Sequence, residues 1–155
     1  MPGTPEARPE TVLAFDYGRR RIGVAVGQQV TGSASALGTL DNGAGGVDWP
    51  RLDALIADWR PARLLVGLPK RADGSPGELA DAIGEFCERL GRYGLPVTTV
   101  DERYSSLEAE RALREGRRAG RRRRVTKGDV DAAAAAVIAE RWLAGGGFEP
   151  RPDSE

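Results

Sequence analysis

Apolar and polar positions along the chain follow two periods in turn. Thr11–Asp16 is a continuous apolar run closed by a carboxylate, and Arg21–Gly27 is a second such run. Both predict buried strands, and the Gly18-Arg19-Arg20 turn between them is short enough for a hairpin. Ser33–Leu40 mixes small and apolar residues and suits a third strand, and Asn42–Gly46 reads as a loop. Leu52, Leu55, Ile56 and Trp59 then recur at helical spacing, which predicts an amphipathic helix over 49–59 with Asp48 as its N-cap. Arg63–Gly67 is a short buried strand, followed by a loop over Leu68–Gly74. Ser75-Pro76-Gly77-Glu78 has the form of a capping box with proline at the first helical position. Leu79, Ile83, Phe86 and Leu90 carry that helix to about Tyr93, and Pro96–Val100 is the fifth strand. Ser105-Ser106-Leu107-Glu108 offers another capping box for a helix to about Gly116. An arginine-rich loop over Gly116–Val125 and a final helix from Thr126-Lys127-Gly128-Asp129 to about Ala144 complete the pattern.

Three strands close together in sequence form an antiparallel meander, whereas strands reached through helices become parallel neighbours. The expected fold is therefore α/β, with a mixed five-stranded sheet, its first three strands antiparallel and the later ones parallel, and helices on both faces. Strand ends and helix starts collect along one rim of such a sheet, where ligands bind. At 155 residues, a single domain over 11–144 is expected, with flexible tails over 1–10 and 145–155.

Composition excludes more chemistry than it suggests. There is no histidine, which removes Ser-His-Asp and Cys-His nucleophilic catalysis and His-ligated zinc. The single cysteine, Cys87, can make neither an internal disulfide nor a cysteine-rich zinc site. No run of about 18 apolar residues exists to span a membrane, and Met1–Glu6 lacks the basic and apolar regions of a signal peptide, so a cytoplasmic protein is expected.

Formal net charge is zero, from 23 basic and 23 acidic residues. Its distribution is uneven: Arg111, Arg114, Arg117, Arg118, Arg121, Arg122, Arg123, Arg124 and Lys127 fall in one stretch opposed only by Glu115. Local potential, rather than net charge, is what a polyanion meets.

Three carboxylates stand in distinct local settings. Asp16 ends the first strand before a glycine turn, Glu102 ends the fifth, and Asp131 opens the alanine-rich last helix. Each has an ordinary explanation on its own. Aspartate before glycine is a turn former. Asp101, Glu102, Asp129 and Asp131 are all acids near a helix start, where the dipole favours them. Gly23 reads as a packing glycine, and Gly18 as either a turn residue or a point of close phosphate approach.

The motifs taken in order are more specific. Phe15-Asp16-Tyr17-Gly18, Arg21-Ile22-Gly23-Val24-Ala25-Val26-Gly27, Val66-Gly67-Leu68-Pro69 with Asp73-Gly74, Asp101-Glu102-Arg103-Tyr104-Ser105-Ser106 and Lys127-Gly128-Asp129-Val130-Asp131-Ala132 run through nearly the whole chain. Together they make it resemble the YqgF/RuvX family, described as Holliday junction resolvases or pre-16S rRNA processing nucleases, with an RNase H-like fold akin to RuvC. The resemblance implies that Asp16, Glu102 and Asp131 form a catalytic acidic site holding Mg²⁺ or Mn²⁺. Three ligands are implied rather than four, because Gly128 stands where related nucleases carry a further acid. Two such ions can activate water and stabilise a developing alkoxide without histidine.

Expected nucleic-acid contacts are Arg19, Arg21, Arg103, Arg117, Arg118, Arg121, Arg122, Arg123, Arg124 and Lys127. The implied activity is metal-dependent endonucleolytic cleavage of structured nucleic acid, with pre-rRNA favoured as partner and branched DNA second. The oligomeric state, monomer or weak homodimer, is left open by the sequence. Two rivals remain. An actin-like phosphotransferase shares the opening Asp-x-Gly but needs a second half of comparable size. A non-catalytic RNA-binding module would retain the acids without using them.

Overall fold

β1 (Thr11–Asp16) is buried on both faces because helices cover both sides of the sheet it centres. The computed structural model describes residues 10–68, 79–101 and 127–145. Within them, β1 pairs antiparallel with β2 (Arg21–Gln28), which pairs antiparallel with β3 (Ser33–Asp41). On its other side β1 pairs parallel with β4 (Arg63–Leu68), which pairs parallel with β5 (Val97–Asp101). The strand order is β3-β2-β1-β4-β5, the mixed sheet expected from the sequence.

Alternation along β1 divides the core in two. Leu13 and Phe15 join Ile22, Val24 and Val26 of β2 on one face, beneath α1 (Trp49–Trp59) and α2 (Ala80–Leu90). Val12 and Ala14 face the other way, onto Ile138, Ala139, Trp142 and Leu143 of α3 (Lys127–Ala144). A strand buried on both faces must be apolar throughout, which is why no polar residue interrupts 12–15. Each fully buried Leu, Ile or Phe stabilises the fold by roughly 1.5–3 kcal/mol.

α3 lies close to the sheet because both surfaces are small. A Cβ placed on Gly27 would lie 3.2 Å from the Ala139 Cβ and 3.1 Å from Leu143 Cδ1. Ala132, Ala134, Ala135 and Ala139 are buried against the sheet. The register shifts between Val24 and Ala25, where β3 accommodates an extra residue beside Gly38 (φ 139°). Such a bulge is commonly carried by glycine.

Helix starts follow local chemistry. Asp48 caps α1 by accepting from the Arg51 N–H at 3.2 Å, with Pro50 in the first turn. α2 begins at Ala80, with no side-chain cap at Leu79, and ends in a 3₁₀ turn over Gly91–Tyr93. The capping box at 75–78, the Asp73-Gly74 motif, the expected helix over 105–116 and the arginine-rich loop over 116–125 lie outside the described residues. Glu10 is tied to the sheet: its N–H donates to Gln29 Oε1 at 3.0 Å and its carboxylate lies 3.6 Å from Arg63 Nε. No helix among the described residues is long and apolar enough to cross a membrane.

Candidate active site

Asp16 and Asp131, which lie far apart in sequence, meet through a glycine. Asp16 stands opposite Gly23 in the β1–β2 ladder. Opposed residues of an antiparallel pair have Cα atoms about 4.5–5.5 Å apart. A Cβ on Gly23 would lie 2.0 Å from the Asp131 carbonyl oxygen and 2.4 Å from its carbonyl carbon. The backbone of α3 therefore occupies the space where any side chain at position 23 would stand. Gly23 is a packing glycine, as its setting in the sequence suggests, and what it packs against is the backbone of α3 at Asp131 and Ala132.

Strand parity agrees with this placement. Val12 and Ala14 contact α3, and Asp16 is the next residue with the same parity. Arg21, two residues before Gly23, is on that face too: its Nε donates to Asp131 Oδ2 at 3.0 Å. Both side chains are partly buried, 31% and 22% exposed respectively, so their pairing is less screened than a surface ion pair.

A cavity of about 360 Å³ opens at this rim, lined by Asp16, Tyr17, Gly18, Arg19, Arg20, Arg21 and Asp131. Among the described residues of its lining, three guanidinium groups stand against two carboxylates. Tyr17 packs its ring against Phe86 at a centroid distance of 5.3 Å, and Phe86 in turn meets Phe15 edge-on at 5.7 Å. This aromatic cluster anchors the exit from β1 on the side away from α3. Gly18 allows the turn to close tightly, since a Cβ there would lie 2.6 Å from the Arg21 carbonyl oxygen.

Of the residues singled out in the sequence, Asp16, Arg19, Arg21 and Asp131 come together at this cavity. Glu102 follows directly on Asp101, the last residue of β5, and lies outside the described residues. Arg103, Arg117, Arg118, Arg121, Arg122, Arg123 and Arg124 also lie outside them, as does the side chain of Lys127, the first residue of α3. Among the described residues no group of three or more His, Cys, Asp or Glu side chains gathers as a metal site. Arg20, also in the lining, was not singled out in the sequence. It sits between two arginines that were, and that adjacency was the available signal.

An anionic ligand could bind here through the arginines, and a hard cation through the carboxylates. Oxygen-only donors suit Mg²⁺ or Mn²⁺ rather than a softer metal. The lining contains no nitrogen or sulfur ligand of the histidine or cysteine type.

Comparison with known proteins places this geometry in a family. The family described as "RuvX: Holliday junction resolvase" matches residues 10–145. A protein of Azotobacter vinelandii named "Putative pre-16S rRNA nuclease" is 49% identical over 138 residues, covering 88% of this chain and 94% of that protein. A Burkholderia multivorans protein of the same name is 47% identical over 144 residues, covering 92% and 94%. Among solved structures, "T. thermophilus RuvC in complex with Holliday junction substrate" matches with a TM-score of 0.54 at 18% identity, over 89% of this chain and 96% of that one. A second Thermus thermophilus RuvC structure gives 0.52 at 15% identity, over 91% and 99%. The chain belongs to the RuvX family, and its fold is the RNase H-like fold of RuvC.

Proposed function

We propose that this RuvX-family chain is a nuclease that hydrolyses phosphodiester bonds in structured nucleic acid, with the precursor of 16S rRNA as its leading substrate. The observation that carries the reading is the meeting of Asp16 and Asp131 beside Arg19, Arg20 and Arg21 in one cavity. Carboxylates and guanidinium groups crowded at a strand rim have a shared purpose if a cation and a phosphate bind between them. The names of the close relatives support rRNA as the substrate class. A cytoplasmic site of action goes with that substrate.

Asp16 and Asp131 would hold Mg²⁺ or Mn²⁺, with Glu102 as the third ligand contributed from the end of β5. A bound divalent cation supplies Lewis-acid charge at the phosphoryl oxygens and a nucleophile from water at neutral pH. The chain's own residues do the rest. Arg21 holds the Asp131 carboxylate through Nε, fixing its rotamer and leaving Oδ1 for another partner. Arg19 and Arg20 draw the phosphate backbone to the cavity mouth, where charge-assisted bonds position it without reading bases. The arginines of 117–124, with Arg103 and Lys127, would extend the contact along the backbone. Binding through so many cations should weaken steeply with salt, as counterions are released on association.

A second reading, cleavage of a four-way DNA junction, is favoured by the family description. Symmetric junction cutting requires two sites in one assembly. The test is cleavage of a 16S rRNA precursor fragment and of a synthetic junction, side by side with Mn²⁺, together with mass in solution. Cleavage of the precursor by a monomer supports the first reading. Paired nicks in the junction by a dimer, with the precursor left intact, would replace it by the second.

A further inference from the structure

Asn42 is a buried polar side chain, only 7% exposed, at a position where the chain has just left β3. A buried amide costs stability unless its hydrogen bonds are made, so its partners show what the burial accomplishes. Its Nδ2 donates to the Gly18 carbonyl at 2.7 Å, across 24 residues of sequence. Its backbone N–H donates to the Arg20 carbonyl at 2.8 Å. Both acceptors belong to the short connection between β1 and β2. That connection carries Arg19 and Arg20, which are exposed, and it lines the cavity with Asp16 and Asp131. One residue of the β3 exit thus grips the arginine turn at two points, Gly18 and Arg20.

We propose that Asn42 is a positioning residue: its two hydrogen bonds fix the Gly18–Arg20 turn so that Arg19 and Arg20 meet a nucleic-acid phosphate from a preformed arrangement. This rests on the reading of the cavity as a nucleic-acid site. The physical argument is preorganisation. Two long cationic side chains on an untethered turn must be ordered when the phosphate arrives, whereas a clamped turn has largely met that cost on folding. The backbone bond to Arg20 survives any substitution at position 42. The side-chain bond to Gly18 does not, so the contribution of Nδ2 can be isolated.

The test is a binding cycle on the full chain. A fluorescently labelled RNA hairpin is titrated in EDTA, which keeps cleavage out of the measurement, and its anisotropy is read over a series of salt concentrations. The proteins are wild type, Asn42→Ala, the double variant Arg19→Gln/Arg20→Gln, and the triple combination, each held well below its melting temperature. Asn42→Ala is expected to bind about tenfold more weakly, the scale of ordering two long side chains on binding. The slope of log K against log salt should stay near the wild-type value in Asn42→Ala, where both phosphate contacts are still made, and fall in magnitude by about one to two in Arg19→Gln/Arg20→Gln. Adding Asn42→Ala to the double variant should cost no further affinity, because residues acting through one another are not additive. If Asn42→Ala folds poorly, Asn42→Ser takes its place in the same cycle.

Equal losses in both backgrounds would overturn the proposal, since Asn42 would then act without the arginines. So would wild-type affinity in Asn42→Ala while the double variant binds weakly, a result that leaves the cavity reading standing. Wild-type affinity in the double variant would overturn the cavity reading itself, and the proposal with it.

Discussion

Arg21 and Asp131, separated by 110 residues of sequence, are joined by a 3.0 Å hydrogen bond from Nε to Oδ2. The bond ties the start of β2 to the first turns of α3. It also sets a cation beside a carboxylate that the proposed chemistry gives to a metal. Arg21→Gln is therefore expected to shift two ligands in opposite directions. Mn²⁺ binding, read by titration calorimetry, should tighten severalfold as a like charge is removed. RNA binding in EDTA should weaken by a similar factor. Arg21→Lys should not restore the wild-type balance, because lysine has no N–H at the place of Nε, the donor that holds Asp131. A parallel loss of both affinities would mean that Arg21 serves only to hold the fold.

Gly23→Ala is expected to be among the most damaging single-methyl additions in this chain. The new Cβ would stand 2.0 Å from the Asp131 carbonyl, which is main chain and cannot rotate away. Overpacking typically costs 1–3 kcal/mol, and this site should reach about 3 kcal/mol or more. At roughly 2–4 °C per kcal/mol for a chain of this size, melting should fall by about 6–12 °C. Catalysis should fall further than the folded fraction does, because α3 must lift Asp131 away from Asp16. A melting temperature within about 2 °C of wild type would contradict the packing described.

How much of this was legible in the sequence depends on the range of each interaction. β1 was readable because a strand covered on both faces must be apolar throughout, and Val12–Phe15 are. Asp48 was readable because an N-cap acts on its own first turn. The meeting of Asp16 with Asp131 was suggested only by family motifs, because its physical cause is Gly23, and a glycine does not reveal which backbone will fill the space it leaves. Asn42 illustrates the limit. In a stretch of Asn, Gly and Ala it reads as an ordinary turn former. Its partners Gly18 and Arg20 lie more than twenty residues earlier, and no local pattern points to them. Arg20 was passed over beside Arg19 and Arg21 because a run of like residues does not say which of them faces a cavity.

Phe86 links α2 to the exit from β1 through contacts with Phe15, Tyr17 and Trp49. Phe86→Ala should cost about 3–5 kcal/mol of stability, as for other buried aromatic truncations. Chemical denaturation would measure it. A loss below about 1 kcal/mol would mean that the cluster collapses to fill the cavity, and Tyr17 would then be expected to move.

Tyr93 should titrate late. Burial first, and then the hydrogen bond to Asp53 Oδ1 with that carboxylate's charge, push its phenol well above the ordinary value of 10.0, against a smaller opposing effect of Arg92. The neutral phenol is the form the fold prefers, so its contribution to stability is intact below the unfolded value. It is lost as pH rises beyond that value and through the folded one. Spectrophotometric titration should show a late phenol ionisation, and Tyr93→Phe should abolish that step. The stability difference between wild type and Tyr93→Phe should be constant from pH 7 to 9 and shrink above about pH 10. A strongly alkaline end of the titration curve left unchanged by Tyr93→Phe would contradict the setting described for this phenol.

The most direct measurement is cleavage of a labelled 16S rRNA precursor fragment with Mn²⁺ by wild type, Asp16→Asn, Asp131→Asn and Glu102→Gln, each first matched for fold by circular dichroism. The expected result is site-specific scission by wild type and a loss of at least about a hundredfold in each variant, as befits removing charge that stabilises a transition state, with RNA binding retained. Undiminished cutting by Asp16→Asn or Asp131→Asn would contradict the claim that these two carboxylates form the reactive centre.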